Sequence, residues 1–233
     1  GYVFTHKPLL LEAFTHASFQ RAATPCYQRL EYLGDAVLDF YVTTDLYDRY
    51  PDIGPGCITD CRYAGVNNET LAAISVSHGY HHCLFHHSAD LLREMTTFVR
   101  WVAQGGHVAA ASAYEDRAAD APKILGDLFE SVAGAVFLDG GVEAAGVAIR
   151  RLMKPYLERY ATPETVVLDP RRALQKLCQQ KGIFDHMEYR IVVGEMGGLG
   201  MGVFYKGEQI SFGEGGAFIR AKRVAARRAV EYL

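Results

Sequence analysis

The chain has 233 residues, of which 49% are hydrophobic, 12% aromatic and 22% charged, a globular composition that excludes a disordered tail, a collagen-like repeat and a disulfide miniprotein. No run approaches the roughly 18 consecutive apolar residues of a membrane span, and no basic start followed by an apolar stretch marks a secretory signal. The net charge of −3 hides a division, because residues 1–164 carry 13 basic and 20 acidic side chains whereas residues 165–233 carry 11 and 7; an acidic body followed by a basic module suits a polyanion held by one part and worked on by the other.

From the N-terminus, apolar residues at helical spacing predict a helix over Pro8 to Phe19 and a long one over Gln28 to Tyr50, ended by Pro51. Shorter helices are expected at Ile58–Val66, Asn68–His78 and Ala89–Ala103. Residues 104–121 change character, with paired glycines, alanines and little apolar bulk, and read as a flexible insertion. The helical pattern returns at Lys123, is interrupted at Gly140-Gly141 and resumes through Tyr160; a linker follows over residues 161–168, with Pro163 inside it and Pro170 just beyond. Beyond it come a helix from Arg171 to Lys181, three short alternating strands at Tyr189–Val193, Val203–Lys206 and Gln209–Phe212, and a last helix from Phe218 to Leu233. The expected fold is therefore a mainly α domain over residues 1–160 and a small α+β module of α-β-β-β-α order over residues 169–233. Beginning Gly1-Tyr2-Val3-Phe4 inside an amphipathic stretch, the sequence reads as a fragment of a longer chain.

The five cysteines, Cys26, Cys57, Cys61, Cys83 and Cys178, include no Cys-x-x-Cys pair, so neither a zinc site nor a disulfide framework is indicated, and free thiols fit the cytoplasm or nucleus. His81, His82, His86 and His87 make a histidine-rich stretch better read as a surface loop than as a metal site. The glycine run from Gly197 to Gly202 joins two strands and opens no helix, which argues against a phosphate-cradling loop.

Two segments carry chemistry. Within Gln28 to Leu38, Glu31 and Asp35 are four apart and share a helical face, with no lysine or arginine at a neighbouring i±4 position to neutralise them. Within Lys123 to Glu130, Asp127 and Glu130 are three apart, again among apolar residues. Two helices each presenting an acidic pair can pack into an all-oxygen cage, the environment hard divalent ions such as Mg²⁺ favour. Two solvated acidic pairs are the plain alternative.

The segment from Gln28 to Leu38 closely resembles the signature helix of the ribonuclease III family, and the likeness extends through Thr15-His16-Ala17-Ser18, Pro55-Gly56, Thr59-Asp60, Arg62, Val66-Asn67-Asn68 and Gly126 to Ser131. The resemblance implies an all-helical nuclease domain whose catalytic, metal-binding carboxylates are Glu31, Asp35, Asp127 and Glu130. Pro122-Lys123 and the insertion before it look like the Dicer type, in which a lysine at the position of Lys123 assists catalysis. The module over 169–233 resembles a double-stranded RNA-binding domain, with Arg220, Lys222, Arg223 and Arg227 as RNA-binding candidates; it departs from the usual pattern where Phe218-Ile219 replace a lysine pair and where Gly194 to Gly202 lacks a Gly-Pro-x-His element. The implied activity is endonucleolytic hydrolysis of double-stranded RNA with Mg²⁺, for which Mn²⁺ substitutes, leaving short 3′ overhangs. The implied partners are double-stranded RNA and either a second copy of the chain or a preceding nuclease domain of the same full-length protein, with no membrane. An RNA-binding and dimerisation module with a silent nuclease site, or a stand-alone bacterial-type enzyme, are the competing readings.

Overall fold

A computed structural model describes residues 1–19, 25–104, 121–166, 168–194, 198–216 and 218–233, which divide into two compact units, one within residues 1–166 and one within 168–233. All but the two end residues of the insertion expected at 104–121 lie outside the described residues.

The first unit is helical. Its helices are α1 (Lys7–Ala13), α2 (Gln28–Arg49), α3 (Pro55–Val66), α4 (Asn68–Ser77), α5 (Ala89–Ala103) and α6 (Lys123–Tyr160). Local chemistry sets their ends: Pro8 and Pro55 occupy first-turn positions where no backbone N–H is needed, and the Asn67 and Ser88 side chains accept from Thr70 N–H and Leu91 N–H to cap α4 and α5. The core lies where α2 crosses α6 with α4 alongside, filled by Leu38, Val42, Leu46, Leu71, Ile74, Phe129, Val136 and Met153. A second apolar cluster seats Met95 and Phe98 of α5 against Leu125 and Leu128 of α6.

One boundary moves and one expected interruption is borne out. The first helix stops at Ala13 instead of reaching Phe19, because Thr15 leaves the helical path to bridge Phe85 and only a single 3₁₀ turn follows at Ala17–Phe19. Pairing across about 70 residues of sequence overrides the local helical period there. The interruption expected at Gly140-Gly141 is a kink inside α6, where Gly141 takes φ 76° and frees the Val142 carbonyl, which accepts from the Tyr41 hydroxyl. Just before the kink, the Asp139 carboxylate collects Tyr2 OH, Thr5 N–H and His6 N–H, tying the first six residues to α6.

The second unit packs α7 (Pro170–Gln180) and α8 (Phe218–Tyr232) on a three-stranded antiparallel sheet of β1 (Met187–Val193), β2 (Leu199–Tyr205) and β3 (Glu208–Gly213), in spatial order β1-β2-β3. This is the α-β-β-β-α order expected. Pairing runs from Met187 opposite Tyr205 to Val193 opposite Leu199. The two-residue β2–β3 turn, Lys206-Gly207, has both φ values positive, at 49° and 87°, the geometry that matches strand twist. Leu174, Cys178, Val203, Ala225, Ala226 and Ala229 form its core. β2 starts four residues before the expected Val203, inside the glycine run: Phe204 and Phe212 lie over Gly202 and Gly200, so an aromatic ring supplies the packing a side chain would.

Candidate active site

Bringing the acidic pairs together requires α2 and α6 to cross at backbone contact. A β-carbon at Gly34 would collide with the Glu130 carbonyl oxygen, and one at Gly134 would collide with the Leu30 carbonyl. Only glycine at both positions lets the helices approach this closely. The crossing puts the first turn of α6 beside the first two turns of α2, and between them opens a cleft of about 380 Å³ lined by Gln28, Glu31, Tyr32, Asp35, Asn68, Lys123, Asp127 and Glu130.

Ligand oxygens of Glu31, Asp127 and Glu130 lie within 4.8 Å of one another, close enough to share one ion. Asp35 lines the same cleft but stands outside that trio. Lys123 is in place of a counter-ion: its Nζ lies 2.7 Å from Glu31 Oε1 and 2.6 Å from Asp127 Oδ1. The lysine side chain is 74% exposed, whereas that of Asp127 is 6% exposed, so the ammonium reaches from solvent onto a buried carboxylate. The other Asp127 oxygen, Oδ2, accepts from the Tyr27 hydroxyl at 3.2 Å. Asn68 donates to the Ala121 carbonyl at 3.0 Å and fills the space a side chain at Gly126 would need, fixing the entry of α6 just ahead of Lys123. Arg62 pairs with Asp39 at 2.6 Å, one turn beyond Asp35.

The electrostatics are those of crowded carboxylates. Burial pushes the Glu130 carboxyl up to about 8, and Asp35, Asp127 and Glu31 push in the same direction while Lys123 opposes them. Asp127 is also raised, chiefly by burial, against the pull of Lys123 and Tyr27. Asp35 is raised by burial and then by Asp39 and Glu31. For Lys123, burial works downward, but the hydrogen bonds to Asp127 and Glu31 outweigh it and the amine is held above its usual value. An all-oxygen donor set of crowded carboxylates, one of them holding its proton at neutral pH, fits a hard divalent ion, which would replace protons and Lys123 as the neutralising charge.

The sequence profile of the ribonuclease III domain matches residues 28–141, which span both acidic pairs. The chain carries a ribonuclease III domain. Over its whole length it is 38% identical to Endoribonuclease Dicer homolog 1 of Oryza sativa subsp. japonica and 37% identical to Endoribonuclease Dcr-1 of Drosophila melanogaster. It spans 12% and 11% of those relatives, respectively. Among solved structures, the nuclease domain of ribonuclease III from Campylobacter jejuni superposes with a TM-score of 0.49 at 29% identity, covering 66% of this chain and 90% of that one.

Within the ribonuclease III domain, Glu31, Lys123, Asp127 and Glu130 converge and Asp35 borders them. Tyr27 and Asn68 escaped the sequence reading as site residues, although both sit inside or beside motifs that drew attention: Tyr27 immediately precedes the signature helix, and Asn68 ends Val66-Asn67-Asn68. The His81 and His82 rings lie 3.9 Å apart, tilted at 41°, in a 3₁₀ turn, and among the described residues the carboxylate trio is the group close enough to share an ion.

In the second unit the four basic candidates have different surroundings. Arg223 Nε lies 2.9 Å from Asp169 Oδ2, with 11% of its side chain exposed, and Asp169 also holds Arg171. That places Arg223 inside the α7–α8 contact. Lys222 sits 4.3 Å above the Tyr189 ring, Arg227 lies 3.6 Å from Glu231, and Arg220 is half-buried in the first turn of α8.

Proposed function

We propose that the ribonuclease III domain of this chain hydrolyses phosphodiester bonds of double-stranded RNA with Mg²⁺, for which Mn²⁺ substitutes, and that the longer protein it belongs to processes RNA precursors as a Dicer-type endoribonuclease. The observation that carries the reading is the convergence of Glu31, Asp127 and Glu130 within 4.8 Å, with Asp35 at the edge and Lys123 bonded to two of them.

In this reading the carboxylates of Glu31, Asp127 and Glu130, with Asp35, would hold the divalent ions. Such ions, when bound, supply water activation at neutral pH and positive charge for the leaving 3′ oxygen. To serve as a ligand Glu130 would have to release its proton to solvent. Lys123, exposed and long, turns from the carboxylates to a non-bridging oxygen of the scissile phosphate, where its charge offsets what builds up in the transition state. Asn68 keeps Lys123 at the cleft mouth by holding the chain at Ala121.

The second unit acts as a double-stranded RNA-binding domain, gripping phosphates and 2′-hydroxyls by shape. Arg220, Lys222 and Arg227 of α8 make the contacts, and Arg223 supports them by fixing α8 to α7 through Asp169. Cutting both strands takes two clusters. Tyr32, Phe40 and Tyr47 are 84%, 57% and 72% exposed on α2, which supports pairing through this helix, with a second copy of the chain or with a preceding nuclease domain, and products with short 3′ overhangs. Five free thiols suit the cytoplasm or nucleus.

The test is incubation with end-labelled duplex RNA, with and without Mg²⁺, together with light scattering at tens of micromolar. Metal-dependent cleavage to overhanging duplexes by a dimer is expected. Retained RNA binding without cleavage under any divalent ion would point to a silent RNA-binding module.

A further inference from the structure

The Thr15-His16-Ala17-Ser18 segment lies outside the carboxylate cluster, yet it closes around one residue of that cluster's surroundings. Tyr27, only 6% exposed, is seated among Phe14, Leu125, Leu128 and Phe98. Its backbone N–H donates to the Thr15 carbonyl at 3.0 Å, and its own carbonyl accepts from Glu31 N–H at 2.8 Å. The His16 ring stacks on the tyrosine ring at 5.8 Å with 15° between planes. His16 is itself fixed by Ser18 Oγ at 2.8 Å and by its N–H to the Phe85 carbonyl at 3.0 Å. Every degree of freedom of Tyr27 is thus used, and its hydroxyl is delivered to Asp127 Oδ2.

Asp127 needs that delivery. It is largely buried, and a carboxylate on the first turns of a helix has two χ angles to settle. The two oxygens are divided: Oδ2 to Tyr27 inside, Oδ1 to Lys123 at the cleft. We infer that Tyr27 is a positioning residue for the metal site, which locks the Asp127 carboxylate with Oδ1 facing Glu31 and Glu130, and that the Thr15–Ser18 segment with its stacked histidine exists to aim it. The inference rests on the metal reading of the cluster given above. A tyrosine that merely filled the core would serve equally well as phenylalanine, because the ring, its volume and its stack would be unchanged.

Tyr27→Phe separates the two roles. Hydrogen-bond partners of ligating carboxylates typically set roughly 10–100-fold in metal affinity or activity. Mn²⁺ binding to the full chain is titrated by electron paramagnetic resonance for wild type, Tyr27→Phe and Glu130→Gln. Thermal melts in EDTA and duplex-RNA affinity in EDTA are recorded alongside. The expected result is a Tyr27→Phe Kd for Mn²⁺ raised about tenfold or more, with RNA affinity unchanged and single-turnover cleavage recovering toward wild type as Mn²⁺ is raised. Wild-type Mn²⁺ affinity in Tyr27→Phe, whatever its melting temperature, overturns the positioning role. A wild-type chain that binds Mn²⁺ no better than Glu130→Gln instead overturns the metal reading on which the inference rests.

Discussion

Loading the site with a divalent ion should expel a proton, and the structure says how much that matters. With the Glu130 carboxyl pushed up to about 8 by burial and by three neighbouring carboxylates, about nine chains in ten carry that proton at pH 7. The ion must displace it, which weakens apparent affinity about tenfold at pH 7 and about a hundredfold at pH 6, or about 1.4 and 2.7 kcal/mol, relative to the plateau above pH 8. Lys123 stays charged across this range, being held above its usual value, so the slope reports the carboxylates. Glu130→Gln, which keeps the shape but has no proton to lose, should bind Mn²⁺ weakly and with a much flatter pH dependence. The same shift acts on stability with a definite sign. A carboxyl whose folded value is raised stabilises the metal-free fold fully below its unfolded value near 4.5, and that contribution is lost as pH rises toward about 8, at about 1.4 kcal/mol per pH unit. Asp35 and Asp127, also raised, act in the same direction. Isothermal titration between pH 6 and 9, with thermal melts in EDTA over the same range, measures both. An apparent Kd that is the same at pH 6.5 and pH 8 would refute the proton-for-metal exchange.

Other perturbations probe other parts of the molecule. Lys123→Met removes the cation bonded to Glu31 and Asp127 while keeping the aliphatic stem; single-turnover cleavage should fall by roughly two decades or more, yet Mn²⁺ affinity should rise, because a competitor for the same oxygens is gone. Glu130→Gln should lower cleavage by two to three decades or more with duplex binding nearly unchanged, measured side by side under limiting Mg²⁺. Gly34→Ala forces α2 off α6 at the Glu130 carbonyl and should cost about 1–3 kcal/mol or more, seen as a lower melting temperature together with lost Mn²⁺ binding. Removing residues 168–233 should weaken duplex binding and flatten its salt dependence, while cleavage persists at low ionic strength.

The parts legible in the sequence were those written in one helical period. Glu31, Asp35, Asp127 and Glu130 stand out because acids three or four apart on apolar helices violate the usual pattern, and Ala89–Ala103 is amphipathic enough to give both its ends. What escaped was set by partners far away in the chain. The end of α1 depends on Phe85, the start of β2 on rings that cover its glycines, and the roles of Tyr27 and Asn68 on Asp127 and Ala121. A single tyrosine or asparagine before a helix has no periodicity to reveal it. Arg223 shows the converse: spacing puts it on the basic face of α8, but only the structure reveals Asp169 beneath it.

The glycine crossing of α2 and α6 sets the spacing of the two acidic pairs with main chain instead of rotamers. At Gly34 and Gly134 that spacing cannot be retuned by swapping side chains, because backbone meets backbone there. Variation in what the proposed nuclease would cut, whether by drift or by design, has its room at the rim, through Gln28 and Tyr32, which line the cleft without belonging to the carboxylate trio. A library confined to those two positions should alter sequence or shape preference around the bond the proposed nuclease cuts, while leaving Lys123 and the carboxylates in place.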